Sequence, residues 1–146
     1  MDQIPAVTVL ALAAQVADKI CAMFERRGAD GMYSSRARDL VDLVDLAMIS
    51  AQEALVSDEV IEHLRREEAR RRDAGTLVEP LPTALRLADE QVDEWSRRWA
   101  KATRQAPVGF DEAYASAARF VDPVLTGGAS GATWSPAGRT WRPVGR

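Results

Sequence analysis

The chain has 146 residues, 47% of them hydrophobic and 28% charged, with a formal net charge of -3; one domain of this length buries about two thirds of the surface its unfolded chain exposes. One cysteine and one histidine exclude a disulfide framework and are too few ligands for a Cys/His zinc site. No apolar run reaches the roughly 18 residues needed to span a membrane, and no basic start precedes an apolar run at the N-terminus, so a cytoplasmic protein is expected, neither secreted nor membrane-bound.

The basic residues are 17 Arg and only two Lys, Lys19 and Lys101. With so much alanine this reads as the codon usage of a GC-rich bacterium. It also makes a lysine inside an apolar helix harder to dismiss as a random solubilising charge, and Lys19 is such a residue.

In chain order, the β-branched "AVTVL" at 6–10 reads as a short strand or extended lead-in. Residues 13–27 carry apolar side chains at helical spacing and stop at Gly28, a natural residue to follow a helix. Within that series Cys21 reads as a small core side chain rather than a nucleophile. After a loop "GADGMYS", Ser34 or Ser35 can cap a second helix running to about Gln52. The third begins at Ser57 as N-cap, places Asp58 and Glu59 at its positive end and Arg70 to Arg72 near its negative end, and stops at Gly75. His63 and the run "RREEARRR" on it read as a solvated face of i,i+4 pairs rather than a catalytic base or a nucleic-acid surface. Pro80 and Pro82 mark the following segment as a connector. A fourth helix, about 88–104, presents Val92, Trp95, Trp99 and Ala102 at three- and four-residue steps, with the Trp pair as core anchor, and a fifth, "DEAYASAARFV", ends before Pro123. From 126 onward the chain holds five of its nine glycines and no periodicity, so a flexible, mostly unstructured tail is expected, with Trp134, Trp141 and its arginines open to a partner. The fold class is therefore mainly α: about five helices in a bundle over 1–125, followed by the tail at 126–146.

The stretch "SSRARDLVDLVDL" (34–46) stands out. On a helix, Asp39, Asp42 and Asp45 fall within an arc of about 120°, on a segment whose apolar residues run nearly all round and so call for burial. A half-buried carboxylate without a cation opposite would lose its charge. Pairing the helices at 13–27 and 35–52 sets Lys19 near the start of the second, so the residues alone give an internal ion-pair cluster of Lys19, Arg36, Arg38 and the aspartates that fixes the helix pair.

"VADKICAMFERRG" followed by "SSRARDLVDL" resembles the two C-terminal motifs of the AbiEii/AbiGii-type nucleotidyltransferases, the toxins of abortive-infection and toxin–antitoxin systems. In that family an Ala-x-Lys-x-x-Ala helix precedes Ser-x-Arg-x-Lys-Asp-x-x-Asp. Ala17, Lys19 and Ala22 match the first motif approximately. Ser34, Arg36, Asp39 and Asp42 match the second in order and spacing, with Arg38 where the family often has Lys. The similarity extends more loosely over about 5–125. It implies a site in which Lys19, with Ser34 and Arg38, contacts a nucleoside triphosphate, while Asp39 orients or deprotonates the acceptor, supported by Asp42 and Arg36. It also implies Mg²⁺ and, as partners, an RNA acceptor or an antitoxin. The family's Mg²⁺-holding Gly-Ser…Asp-x-Asp does not occur in this sequence. A truncated or split chain lacking its N-terminal half is therefore expected, with no metal ligand of its own, no tight cofactor binding alone and no independent catalysis. The alternative from another class is a helical protein-interaction module that keeps the cluster as an ion-pair staple.

Overall fold

The computed structural model describes residues 5–27, 32–33, 37–49, 55–102, 109–128 and 130–143. Among them are five α-helices and two short antiparallel hairpins. Helix α1 spans Pro5–Phe24, α2 Arg38–Ile49, α3 Ser57–Ala74, α4 Asp89–Ala102 and α5 Phe110–Thr126. Strands β1 (Arg26–Arg27) and β2 (Met32–Tyr33) pair across the loop after α1. Strands β3 (Ala132–Ser135) and β4 (Thr140–Pro143) form a C-terminal hairpin.

The mainly helical bundle expected from the sequence is present, with three local corrections. Residues 6–10 are helical rather than extended, since α1 starts at Pro5; proline's fixed φ and missing N–H suit the first turn of a helix. At its other end α1 stops at Phe24, short of the expected Arg27. The chain is drawn away there by the end of α3: Arg26 N–H donates to the Thr76 carbonyl at 2.8 Å, and the Thr76 hydroxyl donates to Glu25 Oε2 at 2.6 Å. Helix α5 does not end before Pro123 but includes it. Its real stop is Gly127, whose φ of 81° is a left-handed conformation that glycine adopts without strain. The intrahelical bond that Pro123 cannot make is tolerated because Phe120, Val121 and Val124 are buried on that face.

Helix α1 lies between α2 and α3, and α5 closes the bundle against α2, α3 and α4. The core joins Val16, Ile20 and Met23 of α1 to Leu40 and Leu43 of α2, Val60 and Leu64 of α3, Trp95 and Trp99 of α4, and Phe120 and Val121 of α5. Cys21 is fully buried among them, as its place in the apolar series implied. The proline connector is tied down by its backbone: Leu85 N–H donates to Asp122 at 2.6 Å and Leu87 N–H to the Tyr114 hydroxyl at 2.8 Å. Buried Gln91 of α4 donates from its side-chain amide to the Met23 carbonyl at 2.9 Å, meeting one of the carbonyls that a helix end leaves unsatisfied.

The C-terminal segment is the largest departure from expectation. Instead of an unstructured tail, Trp134 and Trp141 sit directly opposite each other across the β3–β4 ladder. Both join Phe120 in an aromatic cluster, with ring centroids 4.7 Å (Phe120–Trp134), 5.5 Å (Phe120–Trp141) and 5.3 Å (Trp134–Trp141) apart. Each indole N–H finds a helix carbonyl, Trp134 that of Ala47 at 2.9 Å and Trp141 that of Phe120 at 2.8 Å. On its other edge β3 pairs with the extended residue before α3, Trp134 N–H donating to the Leu55 carbonyl at 3.0 Å. Ser57, expected as the N-cap of α3, is its first helical residue, and Val56 occupies the cap position. The Ser57 hydroxyl instead accepts the Ala132 N–H at 3.0 Å.

A chain lacking half of a site would leave apolar surface beside 6–10 and the Lys19 helix. The side chains of 5–11 lie outside those described, and among the described ones the exposed large hydrophobic residue is Val78.

Trp134→Ala is expected to lower unfolding free energy by about 3–5 kcal/mol, the range for emptying a buried aromatic site. Urea denaturation followed by far-UV circular dichroism measures it, and an unchanged midpoint would mean that the hairpin contributes nothing to the bundle.

Candidate functional site

The one-face aspartates of α2 meet three different environments, because the helix turns them progressively away from α1. Asp39 is buried, Asp42 is about a quarter exposed and Asp45 is exposed. Lys19 of α1 reaches across: its ammonium lies 2.9 Å from Asp42 Oδ2 and 3.5 Å from Asp39 Oδ1. Arg38 Nε lies 3.1 Å from Asp42 Oδ1, one helical turn away. The structure thus brings together Lys19, Arg38, Asp39 and Asp42, while Ser34, Ser35 and Arg36 lie outside the described residues. The turn into α2 is formed by the Ala37 carbonyl, which accepts from Leu40 and Val41 N–H.

Burial alone would pull the Lys19 ammonium down. The hydrogen bond to Asp42 and the charges of Asp42, Asp39 and Asp18 outweigh it and hold the Lys19 pKa above its ordinary value of 10.5. The lysine side chain keeps 23% of its accessible surface, against 4% for Asp39. The cluster is therefore closed at Asp39 and open at the Lys19–Asp42 edge.

A second ionic cluster lies on the opposite flank of α1 and was not anticipated. Arg71, in the arginine-rich run read as a solvated face, is buried. It occupies a position on the inward stripe of α3 that begins with Ser57, Val60 and Leu64. Its guanidinium pairs with Asp18, with Glu25 at 3.3 Å and with Glu67 at 3.0 Å. The heptad step from Leu64 to Arg71 was the signal available in the sequence, since it continues the buried stripe. The remaining arginines of the run do follow the solvated reading, as in the exposed Arg66–Glu62 pair.

Whether these groups suit Mg²⁺ follows from their partners. Asp39 and Asp42 already face the Lys19 ammonium, and Asp42 the Arg38 guanidinium as well. Among the described residues no group of three or more His, Cys, Asp or Glu side chains is arranged to hold a metal ion. Mg²⁺ favours near-octahedral oxygen ligands, and the donors here do not fit it.

A family model described as the nucleotidyl transferase AbiEii toxin of a type IV toxin–antitoxin system matches residues 1–119. The chain belongs to the AbiEii family. The match takes in both helices that carry the Lys19, Asp39 and Asp42 motifs and ends within α5, before the C-terminal hairpin. Membership makes this an AbiEii nucleotidyltransferase toxin-like protein and implies an antitoxin as counterpart. No curated protein and no solved structure matches the chain. No helix among the described residues is long and apolar enough to cross a membrane.

Two outcomes follow from the ionic clusters. Arg71→Ala leaves buried Glu25 without its guanidinium and is expected to cost about 3–5 kcal/mol by denaturant titration; a loss below 1 kcal/mol would show that the cluster is not structural. Alkaline stability should fall in two stages. Burial raises the Cys21 thiol from 9.0 to about 12, so its share of stability is full below pH 9 and is lost as pH rises towards 12. The raised Lys19 contribution is lost later, above 10.5. Cys21→Ala should flatten the stability curve from pH 9 upward, and an unchanged slope would count against the buried thiol as its source.

Proposed function

We propose that this AbiEii-family chain carries the lysine–aspartate part of a nucleotidyltransferase site and does not transfer nucleotides unaided. The convergence of Lys19, Asp39 and Asp42 carries the proposal: residues from two separate motifs, twenty or more positions apart in sequence, meet at one point between α1 and α2.

In this reading the open Lys19–Asp42 edge is where a triphosphate meets the protein. The Lys19 ammonium exchanges a carboxylate for phosphate oxygens, and Arg38, mostly exposed and one turn away, adds a second cation; Ser34 is proposed as a further triphosphate contact and Arg36 as a support of Asp39. Asp39, released from Lys19 by that exchange, orients or deprotonates the acceptor hydroxyl, and Asp42 supports it. The proposed acceptor is RNA, and the proposed compartment is the cytoplasm.

No Gly-Ser…Asp-x-Asp occurs in the chain, and the two aspartates present are engaged by cations. Transfer therefore requires carboxylates supplied by another segment, as in a split or truncated enzyme. Incubation with labelled nucleoside triphosphates, Mg²⁺ and bulk bacterial RNA should leave the RNA unlabelled. Label above a Lys19→Ala, Asp39→Ala control would overturn the requirement for a second segment.

One observation favours a second reading, a helical interaction module with a structural ion pair: Asp39 is nearly enclosed and paired directly with Lys19. Asp39→Ala separates the two. As a site residue whose lysine keeps Asp42, Asp39 should cost only about 1 kcal/mol on removal. A loss of about 3–5 kcal/mol, the signature of a stranded charge, would favour the structural reading.

A further inference from the structure

The acidic side chains all precede residue 123, whereas the last 24 residues carry Arg139, Arg142 and Arg146 and no Asp or Glu. The net negative charge of the chain therefore conceals a basic C-terminal element. The hairpin brings part of that charge to one place. A shallow depression of about 760 Å³ runs between α5 and the hairpin, with Arg119, Asp122, Gly138, Arg139 and Trp141 along it. The Arg142 guanidinium lies over Gly138, with Nη2 3.2 Å from where a Cβ would stand there. Arg119, Arg139 and Arg142 are all exposed. Among the described residues the ion pairs are made by other cations, and the one carboxylate in the lining, Asp122, accepts the Leu85 N–H.

We infer that this groove binds the phosphodiester backbone of a single-stranded polynucleotide. Guanidinium groups present paired N–H donors that match phosphate oxygens, and three of them line or flank one groove. The exposed large hydrophobic residue among those described, Val78, is not part of the lining, so the groove is marked by charge rather than by an apolar patch. The ring of Trp141, half-buried beside the groove and stacked on Phe120 at 10° between planes, gives a base an aromatic neighbour. The hairpin lies beyond the part of the chain that matches the family, so this surface is an addition to the motif helices. The inference rests on the charge and shape of the groove and stands apart from nucleotide transfer.

The test is fluorescence anisotropy with fluorescein-labelled single-stranded RNA and DNA oligomers of about a dozen nucleotides, without triphosphate, over a salt series from about 50 to 200 mM. Both oligomers should bind, with a slope of log affinity against log salt near about -2 for three phosphate contacts. Arg139→Ala with Arg142→Ala should weaken binding roughly tenfold and reduce the slope by about 1.4, and Arg119→Ala should reduce it by about 0.7. Arg139→Lys with Arg142→Lys, which keeps the charge, should retain the slope. Salt-independent binding, no binding, or equal affinity for the alanine and wild-type chains would overturn the inference. So would tighter binding of a poly-glutamate peptide, which would make the groove a protein-docking surface.

Discussion

Helix α1 is held from both sides by two consecutive residues. Asp18 and Lys19, about 100° apart around the helix, reach in different directions, Asp18 to buried Arg71 on α3 and Lys19 to Asp39 and Asp42 on α2. Apolar packing is tolerant of rotation and sliding, whereas a short charge pair with one partly buried end is not. These two ties therefore fix the rotation and axial position of α1 between its neighbours. The rest of the arrangement follows, including the early exit of the chain at Glu25, whose carboxylate is taken by Arg71 and Thr76. The same fixing presents the motif residues: Lys19 can face α2 only because its neighbour is anchored to α3.

The sequence carried the helical part of this fold clearly, because each helix had its own local evidence. The apolar period from Val16 to Phe24, the acidic start and the Gly75 stop of α3, and the Trp95–Trp99 step on α4 each needed no knowledge of the others. Lys19 meeting the aspartates was also legible, since a buried carboxylate must find a cation and few were available. Arg71 was hidden by its surroundings. Its neighbours Arg70 and Arg72 are solvated, and only the position of Arg71 on the buried stripe set it apart. Pro123 misled for the opposite reason: a local rule against proline in helices was outweighed by the burial of Phe120, Val121 and Val124 around it.

The hairpin was missed because its stability is not local. Glycine-rich composition argued for disorder, yet "TWS" and "TWR" flanking "PAG" form a strand–turn–strand pattern once alternation is counted over so few residues. A lone two-stranded hairpin is marginal in water. This one persists because its indoles pack on Phe120 and donate to carbonyls of α2 and α5, and because β3 extends onto Leu55 and Val56. The element thus depends on a surface that only the assembled helices create.

That dependence sets an order of events during synthesis. The contacts of α1 with α2 and α3 lie within the first 76 residues, the longest side-chain ties spanning 53, and can form while the chain is still being made. The Trp134 bond to Ala47 and the Ala132 bond to Ser57 span 87 and 75 residues, so the latch between the hairpin and the helices cannot close before residues 132–134 have been made. The hairpin is in this sense a clasp that closes on a bundle already assembled.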